Sequence, residues 1–450
     1  MYWQYGMSGS EKQAGRQLSA TLTRQLLTFL APLLERLDTV IDKRLIRTLL
    51  DTIIAIVLFR DRAKNLLLSE LGGFIASPAH APAGTKRLSN LLRSQGWEAA
   101  LIEGFLWQRA TEEVEVLESQ QQTPLVLWDE SMLEKPESLK LEGLGSVRSS
   151  KGRRLTHIKP GFYQPPKGTI FVPGMQWLCL VVIGLSTPPV LAAMQWWTNR
   201  GVFASKKRCE EGWWLGRWMH AWGRRVLHVF DRGFAGEPWL EECMQYRIRF
   251  VMRWPKDYML RDFQWIKQKA WQITRGKRSM WQRHLYNRHL NAWVQGGVVV
   301  VPVTHPQVRG QFWLVVSRPG KGQLPWYLLT NEPIQTEEDA WRVVFAYARR
   351  WHIEMTWRYT KSELGFESPR LWTWQARVKL LLIASLAFAF LLSLLDLGFQ
   401  PLRERLLRLW CHRTGERYRR VEIPLSRLRE AISSLWLTFP PRVSLFHFSG

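Results

Sequence analysis

Apolar residues recur at helical spacing through the first 120 residues, which predicts an all-helical N-terminal region. One series consists of Leu26, Leu30, Leu33, Leu34 and Leu37, and a second lies within residues 45–58. The Pro-, Ala- and Gly-rich stretch at residues 77–86 predicts a break. A further helix is expected to extend to about Glu118.

From Thr123 onward the pattern changes to short apolar runs separated by turn residues, which indicates strands alternating with helices. Two of the predicted strands end on an acidic residue, "TPLVLWDE" on Asp129 and "RRVLHVFD" on Asp231. Between them we expect a long loop at residues 138–173, strands at 177–185 and 190–197, and a helix at 210–223. A helix at 237–246 then leads to the strand "RFVMRW".

Residues 255–330 read mostly as β structure, with the clearest strands at 298–303, 311–317 and 325–330. A long helix is predicted from Thr336, where "TEED" matches a capping box, to near Gly365. Residues 396–450 are rich in Arg, with a helix expected at 425–437.

The run at residues 380–395 is apolar throughout but shorter than the roughly 20 residues that span a bilayer. A buried core helix is therefore the favoured interpretation, and a membrane helix is the alternative.

The charge balance points to a polyanionic partner. The chain of 450 residues has a formal net charge of +25, which favours a nucleic acid or an anionic membrane surface. Lys86, Arg87 and Arg93 suggest a DNA-reading module in the helical N-terminal region, although an ordinary helical domain with a solvated basic face fits nearly as well. The four Cys and ten His show no zinc-binding spacing, so reduced thiols are expected.

Four chemically distinct side chains share one stripe of the helix predicted from Thr336. They follow the spacing Y-x2-R-x3-E-x6-K and are Tyr347, Arg350, Glu354 and Lys361. At about 100° per residue these positions fall within roughly 60° of one another. An acid, two cations and a phenol on one face suit a site that holds a divalent metal and a phosphodiester together.

Asp129 and Asp231 both end predicted strands, and sites in open α/β sheets lie at the carboxyl ends of strands. If Glu354 joins them from a helix packed on the sheet, three carboxylates could hold two Mg²⁺ ions about 3.5–4 Å apart. Each residue alone is better explained as a turn, cap or surface residue. The hypothesis rests on their conjunction with the cationic stripe and the charge of the chain.

These three acids, the "DRGF" motif and Y-x2-R-x3-E-x6-K resemble the DDE transposases of bacterial insertion sequences, and more narrowly the "insertion sequence four" family. The resemblance covers roughly residues 120–395. It implies an α/β fold: a ribonuclease-H-like mixed sheet with a β-rich insertion before the last catalytic acid, plus an all-α N-terminal domain. The implied domains are a helical DNA-end-binding domain at 1–121, a catalytic domain at 122–254 and 331–395, the insertion at 255–330 and a basic helical region at 396–450.

The resemblance implies cut-and-paste transposition in the bacterial cytoplasm at the nucleoid. It implies catalysis by Asp129, Asp231 and Glu354 with two Mg²⁺ ions, Mn²⁺ being a substitute. It also implies a homodimer that pairs two DNA ends in a synaptic complex and joins them to target DNA, with no membrane partner. By motif match, Tyr347, Arg350 and Lys361 should contact phosphates.

Weaker expectations concern other basic and aromatic residues. Arg232 and the loop residues Lys151, Arg153 and Arg154 are candidate phosphate contacts, although the loop cluster could equally be merely solvated. Some relatives trap a flipped base with aromatic residues. Candidates for that role, each better explained by core packing, are Trp254, Trp265, Trp271, Trp281, Trp293 and Trp313.

Three other functions remain open from the sequence. A ribonuclease-H-like nuclease would cut DNA without joining it. A DNA-binding regulator without catalysis would not need the three acids, although all are present. A basic membrane-surface protein would use residues 380–395 as an anchor but leaves the Tyr-Arg-Glu-Lys stripe unexplained.

Overall fold

The structure is a computed structural model that describes residues 8–136, 138, 140–149, 168–287, 292–320, 324–412 and 424–442. The basic loop cluster Lys151, Arg153 and Arg154 lies outside the described residues.

The described helices are numbered in chain order. They are α1 (Gly9–Asp38), α2 (Lys43–Leu58), α3 (Leu68–Ile75), α4 (Ala81–Arg93), α5 (Ala99–Ser119), α6 (Lys207–Trp222), α7 (Glu237–Gln245), α8 (Ala270–Ile273), α9 (Glu337–Ala348), α10 (Trp351–Ser362), α11 (Trp374–Ser393), α12 (Gln400–Trp410) and α13 (Leu425–Thr438). The helices expected in the first 120 residues, at 237–246 and at 425–437 are confirmed.

The described strands belong to a single 12-stranded mixed sheet. They are β1 (Leu125–Glu134), β2 (Gly145–Arg148), β3 (Phe171–Ile183), β4 (Val190–Trp197), β5 (Leu227–Phe230), β6 (Arg249–Arg253), β7 (Met259–Arg261), β8 (Lys267–Lys269), β9 (Trp281–Asn287), β10 (Ala292–Thr304), β11 (Gln311–Arg318) and β12 (Trp326–Thr330). The strands predicted within residues 255–330 are confirmed.

The sheet combines an antiparallel and a parallel part. β4 pairs with β3 and β3 pairs with β1, both antiparallel. β5 lies between β1 and β6 and pairs with each of them in parallel. β12 then pairs antiparallel with β6, so the strands of residues 255–330 extend the same sheet through β11 and β10. This arrangement confirms the predicted mixed α/β architecture.

Two hydrophobic cores cover the two faces of the sheet. Alternate residues of β1 divide between them, since side chains along a strand point to opposite faces. Leu125 and Leu127 join a core that also contains the N-terminal helices and α11. Val126 and Trp128 join the other core, with α6 and α7. We call the first side the carboxylate face, because Asp129 continues its alternation, and the second the rear face.

The apolar run is a core helix, as predicted. Helix α11 is long and apolar enough to cross a membrane by length and composition, but 89% of its apolar window is buried inside the protein. It packs against α2, α4 and α5 and against strand β4. The N-terminal helices and the sheet therefore share one core through α11.

Three local expectations are wrong. The break at residues 77–86 is shorter than expected, because α4 already begins at Ala81. Pro82 lies in its first turn, where a backbone N–H has no partner within the helix and proline is therefore tolerated. The loop expected at 138–173 contains strand β2 and the start of β3. Strand β1 does not end on Asp129 but continues to Glu134, still paired with β3.

The helix predicted from Thr336 is two helices. Its capping box is present, with Thr336 and Asp339 capping α9 as expected. α9 ends at Ala348, and the backbone hydrogen bonds that follow span three residues in place of the four of an α-helix. The N–H of Arg350 donates to the Tyr347 carbonyl, and that of Ile353 donates to the Arg350 carbonyl. Tyr347 therefore belongs to α9, and Arg350 is the N-cap residue of α10.

Candidate functional site: three carboxylates around Arg350

The register of two parallel strands places Asp129 beside Asp231. Parallel pairing of β1 with β5 ends at Trp128 opposite Phe230. The next residue of each strand is an aspartate, and both follow the alternation of the carboxylate face. The pairing of β1 with β5 thus ends just before Asp129, while strand β1 itself continues. The two aspartates meet at the carboxyl end of β5, as predicted from the sequence.

Glu354 reaches the same place from α10, through Arg350. One Arg350 guanidinium nitrogen lies 3.4 Å from the Asp129 carboxylate and 3.8 Å from that of Asp231. The other guanidinium nitrogen forms an ion pair with Glu354, one helical turn along. The three predicted acids are therefore brought together, with a single arginine among them.

Burial and neighbouring charges shift the pKa values of the ionisable groups in this site. Burial raises the pKa of Asp129 to about 7, while Arg350 lowers it and Asp231 raises it. Burial also lowers the pKa of Arg350, but the attraction of Tyr347, Asp129, Asp231 and Glu354 outweighs this effect and raises the pKa above its ordinary value. Arg350 thus remains charged and neutralises acids that would otherwise repel one another.

Access to the site is uneven. The side chains of Arg350 and Asp129 are each 14% exposed, whereas those of Asp231 and Glu354 are 36% and 35% exposed. The Asp231 carboxylate caps the short turn Arg232–Phe234 by accepting the backbone N–H of Arg232, and Arg232 itself is exposed. Solvent therefore reaches the site from the side of Asp231 and Glu354.

The other residues of the stripe have different surroundings. Tyr347 is nearly buried, with the Arg350 guanidinium 6.0 Å from its ring centroid and that of Arg253 5.8 Å away. Burial raises the pKa of Tyr347. Lys361 donates to the Ser131 hydroxyl and the Met132 carbonyl, both at 2.6 Å, and so contacts the second half of β1. Phosphate contacts for these residues stay predictions.

Sequence reasoning missed two residues of this site. The indole N–H of Trp357 donates to Asp129 at 3.0 Å, and Arg253 at the end of β6 lies against the Tyr347 ring. A signal for Trp357 was present: Arg350, Glu354, Trp357 and Lys361 form a regular helical stripe once Tyr347 is assigned to the preceding helix. Arg253 had no comparable signal, because its place depends on strand pairing.

The donor chemistry suits a divalent cation, since Mg²⁺ takes carboxylate oxygens and Asp129, Asp231 and Glu354 supply them around Arg350. Within the described residues, however, no group of three or more His, Cys, Asp or Glu is close enough to hold a metal ion. Arg350 lies among the carboxylates instead. The chemistry fits a metal, and the guanidinium supplies the positive charge in this arrangement.

The tryptophan candidates divide by exposure. Trp254 is buried and packs in the rear core, as the core interpretation expects. Trp265 and Trp293 are 68% and 69% exposed, so core packing is wrong for these two. Trp271, Trp281 and Trp313 are half-buried. A base-stacking role for the exposed Trp265 and Trp293 stays a prediction.

Part of the chain matches a known protein family. Residues 207–390 match the protein-family model described as "Transposase DDE domain". This transposase-like segment contains Asp231 and all four residues of the stripe, while Asp129 precedes it. No curated protein matches the chain.

A cryo-EM structure of a piggyBac transposase synaptic complex with hairpin DNA is similar at 12% identity, over 97% of this chain and 83% of that chain. Its TM-score is 0.39, which is too low to support an inference.

Proposed function

We propose that this protein is a DNA transposase that cuts DNA at the ends of a mobile element by metal-dependent phosphoryl transfer. The observation that carries the proposal is the convergence of Asp129, Asp231 and Glu354 on one guanidinium, the last two within a segment that matches a transposase DDE domain. The net charge of +25 supports a polyanionic substrate.

Strand order supports the finer hypothesis of a ribonuclease-H-like core. β4, β3 and β1 form an antiparallel meander, and β5 and β6 continue it in parallel beside β1. This order places the first two acids on adjacent strands and the third on a later helix. Residues 255–330 would then be the β-rich insertion that precedes Glu354.

The three carboxylates would hold the metal ions, with Mg²⁺ as the proposed cofactor and Mn²⁺ as its substitute. When bound to such a set, these ions activate the attacking oxygen and stabilise the leaving one. Arg350 would leave the carboxylates and bind a phosphate of the DNA, for which its planar fork is suited. Tyr347 beside it could donate a hydrogen bond to the same backbone.

The remaining predictions are proposals that follow from this one. Residues 1–121 would bind the element's ends, and a homodimer would pair two ends before cut-and-paste transfer to target DNA. The protein would act in the bacterial cytoplasm at the nucleoid.

The test is cleavage of a duplex carrying the DNA that flanks the protein's own gene, with Mg²⁺ present. We expect strand cleavage at the repeat boundary that is lost in Glu354→Gln and without Mg²⁺. The matched control is Glu338→Gln, which removes a mostly exposed carboxylate from the start of α9 and should cleave normally. Binding without cleavage by the wild type would favour a DNA-binding regulator, and cleavage without strand joining would favour a nuclease.

A further inference from the structure

Trp357 contacts the site through a hydrogen bond from a neutral donor. Its indole N–H donates to the same carboxylate oxygen of Asp129 that accepts from Arg350. The other Asp129 oxygen accepts the backbone N–H of Glu130 at 2.9 Å. Both oxygens of the buried carboxylate are thus held by neutral donors, one from its own strand and one from α10.

The Trp357 ring is itself fixed by packing. Its centroid lies 4.3 Å from that of Trp177 in an edge-to-face contact, and both rings belong to the core of the carboxylate face. Trp177 in turn stacks on Phe366 beyond the end of α10. An indole held in this way presents its single N–H in one direction, since tryptophan is a donor only and has few rotamers available in a packed core.

Trp357 and Arg350 differ in what they can do when DNA arrives. The guanidinium carries a charge that a phosphate attracts, and it lies beside the more exposed acids Asp231 and Glu354. Trp357 is neutral and buried, so a phosphate offers it no comparable attraction. Its bond to Asp129 can therefore persist while Arg350 changes partner.

We propose that Trp357 is a positioning residue that keeps the carboxylate of Asp129 oriented for metal binding after Arg350 has moved to the DNA. The proposal rests on the proposed function, because Asp129 needs this orientation only if it binds a metal. Groups that orient metal ligands in this way are generally important to affinity, and removing one typically weakens metal binding or activity about 10- to 100-fold.

The test measures Mn²⁺ binding to the full-length protein by electron paramagnetic resonance, together with cleavage of the end duplex. Trp357→Phe removes the N–H and retains an aromatic ring. A second variant carries 3-benzothienylalanine at position 357, which replaces the N–H by sulfur and nearly preserves the ring shape. The matched control is Trp436→Phe, which trims another buried ring of the same core, on α13, whose N–H has no hydrogen-bond partner among the described residues.

We expect both changes at position 357 to raise the Mn²⁺ dissociation constant about tenfold and to slow cleavage by a similar factor. Binding to DNA without metal should be unchanged, and Trp436→Phe should bind Mn²⁺ like the wild type. Equal weakening by Trp436→Phe would overturn the proposal in favour of packing alone.

Unchanged Mn²⁺ binding in both position-357 variants would overturn it as well. If the wild type neither binds Mn²⁺ nor cleaves, the proposed function fails together with this inference. Normal cleavage by both the wild type and the variants contradicts only the role of Trp357.

Discussion

The two faces of strand β1 present acids in opposite ways. On the carboxylate face, Asp129 meets Asp231 and Glu354 around Arg350, at a place that is open on one side. On the rear face, the next residue, Glu130, forms an ion pair with Lys207 of α6. Lys207 also lies 3.6 Å from Glu211, whose side chain is fully buried.

The rear face is closed by aromatic packing and a neutral histidine. Trp128 donates its indole N–H to His228 at 2.9 Å, within a cluster that includes Trp218 and Trp239. Burial, with a smaller effect of Arg249, lowers the pKa of His228 to about 3. Burial followed by the nearness of Glu130 raises the pKa of Glu211 to about 8.

Clustered acids alone therefore do not identify a site. Both faces hold carboxylates next to cations, and both have shifted pKa values. Only the carboxylate face brings acids from two adjacent strands and a helix to one guanidinium, with Asp231 and Glu354 each about one-third exposed, so a metal and a phosphodiester could reach it. The rear face serves to join α6 to the sheet.

The largest effect should separate the two neighbouring acids of β1. Asp129→Asn should reduce DNA cleavage about a thousandfold, equivalent to about 4 kcal/mol of the activation barrier, because it removes a proposed metal ligand. Glu130→Gln, one residue away on the rear face, should retain cleavage within about threefold. Comparable losses in single-turnover cleavage for both variants would remove the distinction between the faces.

Packing on the rear face should dominate stability. Trp218→Ala should lower the free energy of unfolding by about 3–5 kcal/mol, since it leaves a cavity in the buried aromatic cluster. Trp213→Ala on the same helix should cost about 1 kcal/mol or less, because that ring is mostly exposed. Urea unfolding measures both, and equal costs would show that the rear face is not the packed core described.

His228 should make the rear face sensitive to acid. Its folded-state pKa of about 3 lies below its ordinary value of 6.5, so the unfolded chain takes up the proton first as the pH falls. The stability associated with neutral His228 is complete above pH 6.5 and is lost as the pH falls toward 3. This residue should therefore cost about 2 kcal/mol between pH 7 and pH 5.

Urea unfolding of His228→Gln at several pH values checks this expectation. The variant should lose less stability than the wild type over that interval. Parallel pH profiles for the two proteins would mean that the pKa of His228 is the same in the folded and unfolded states, which would contradict its burial as a neutral ring.

The smallest effect should lie at the rim of the rear face. Arg225 pairs with Glu118 at the end of α5, and both side chains are substantially exposed. Arg225→Gln should change the free energy of unfolding by about 1 kcal/mol or less, and the difference should shrink in high salt. A larger loss that salt leaves unchanged would indicate that this rim is sealed from solvent.

Much of the candidate site could be predicted from local sequence. The strands that carry Asp129 and Asp231 are apolar runs, which can be recognised in the sequence without knowing which strands pair with them. Glu354 and its stripe follow from helical spacing. The motif also survives the break after Ala348, because the residues there keep helix-like backbone angles and Arg350 still reaches Glu354.

What local pattern could not supply depends on contacts between distant residues. Side-chain periodicity and composition are local properties, so the element types, the basic charge and the identity of the three acids follow from the sequence. The continuation of β1 beyond Asp129 depends instead on strand pairing, since its pairing with β3 extends further than its pairing with β5. Only the fold placed Arg350 among the carboxylates and Trp357 against Asp129, because these contacts join residues more than 200 positions apart.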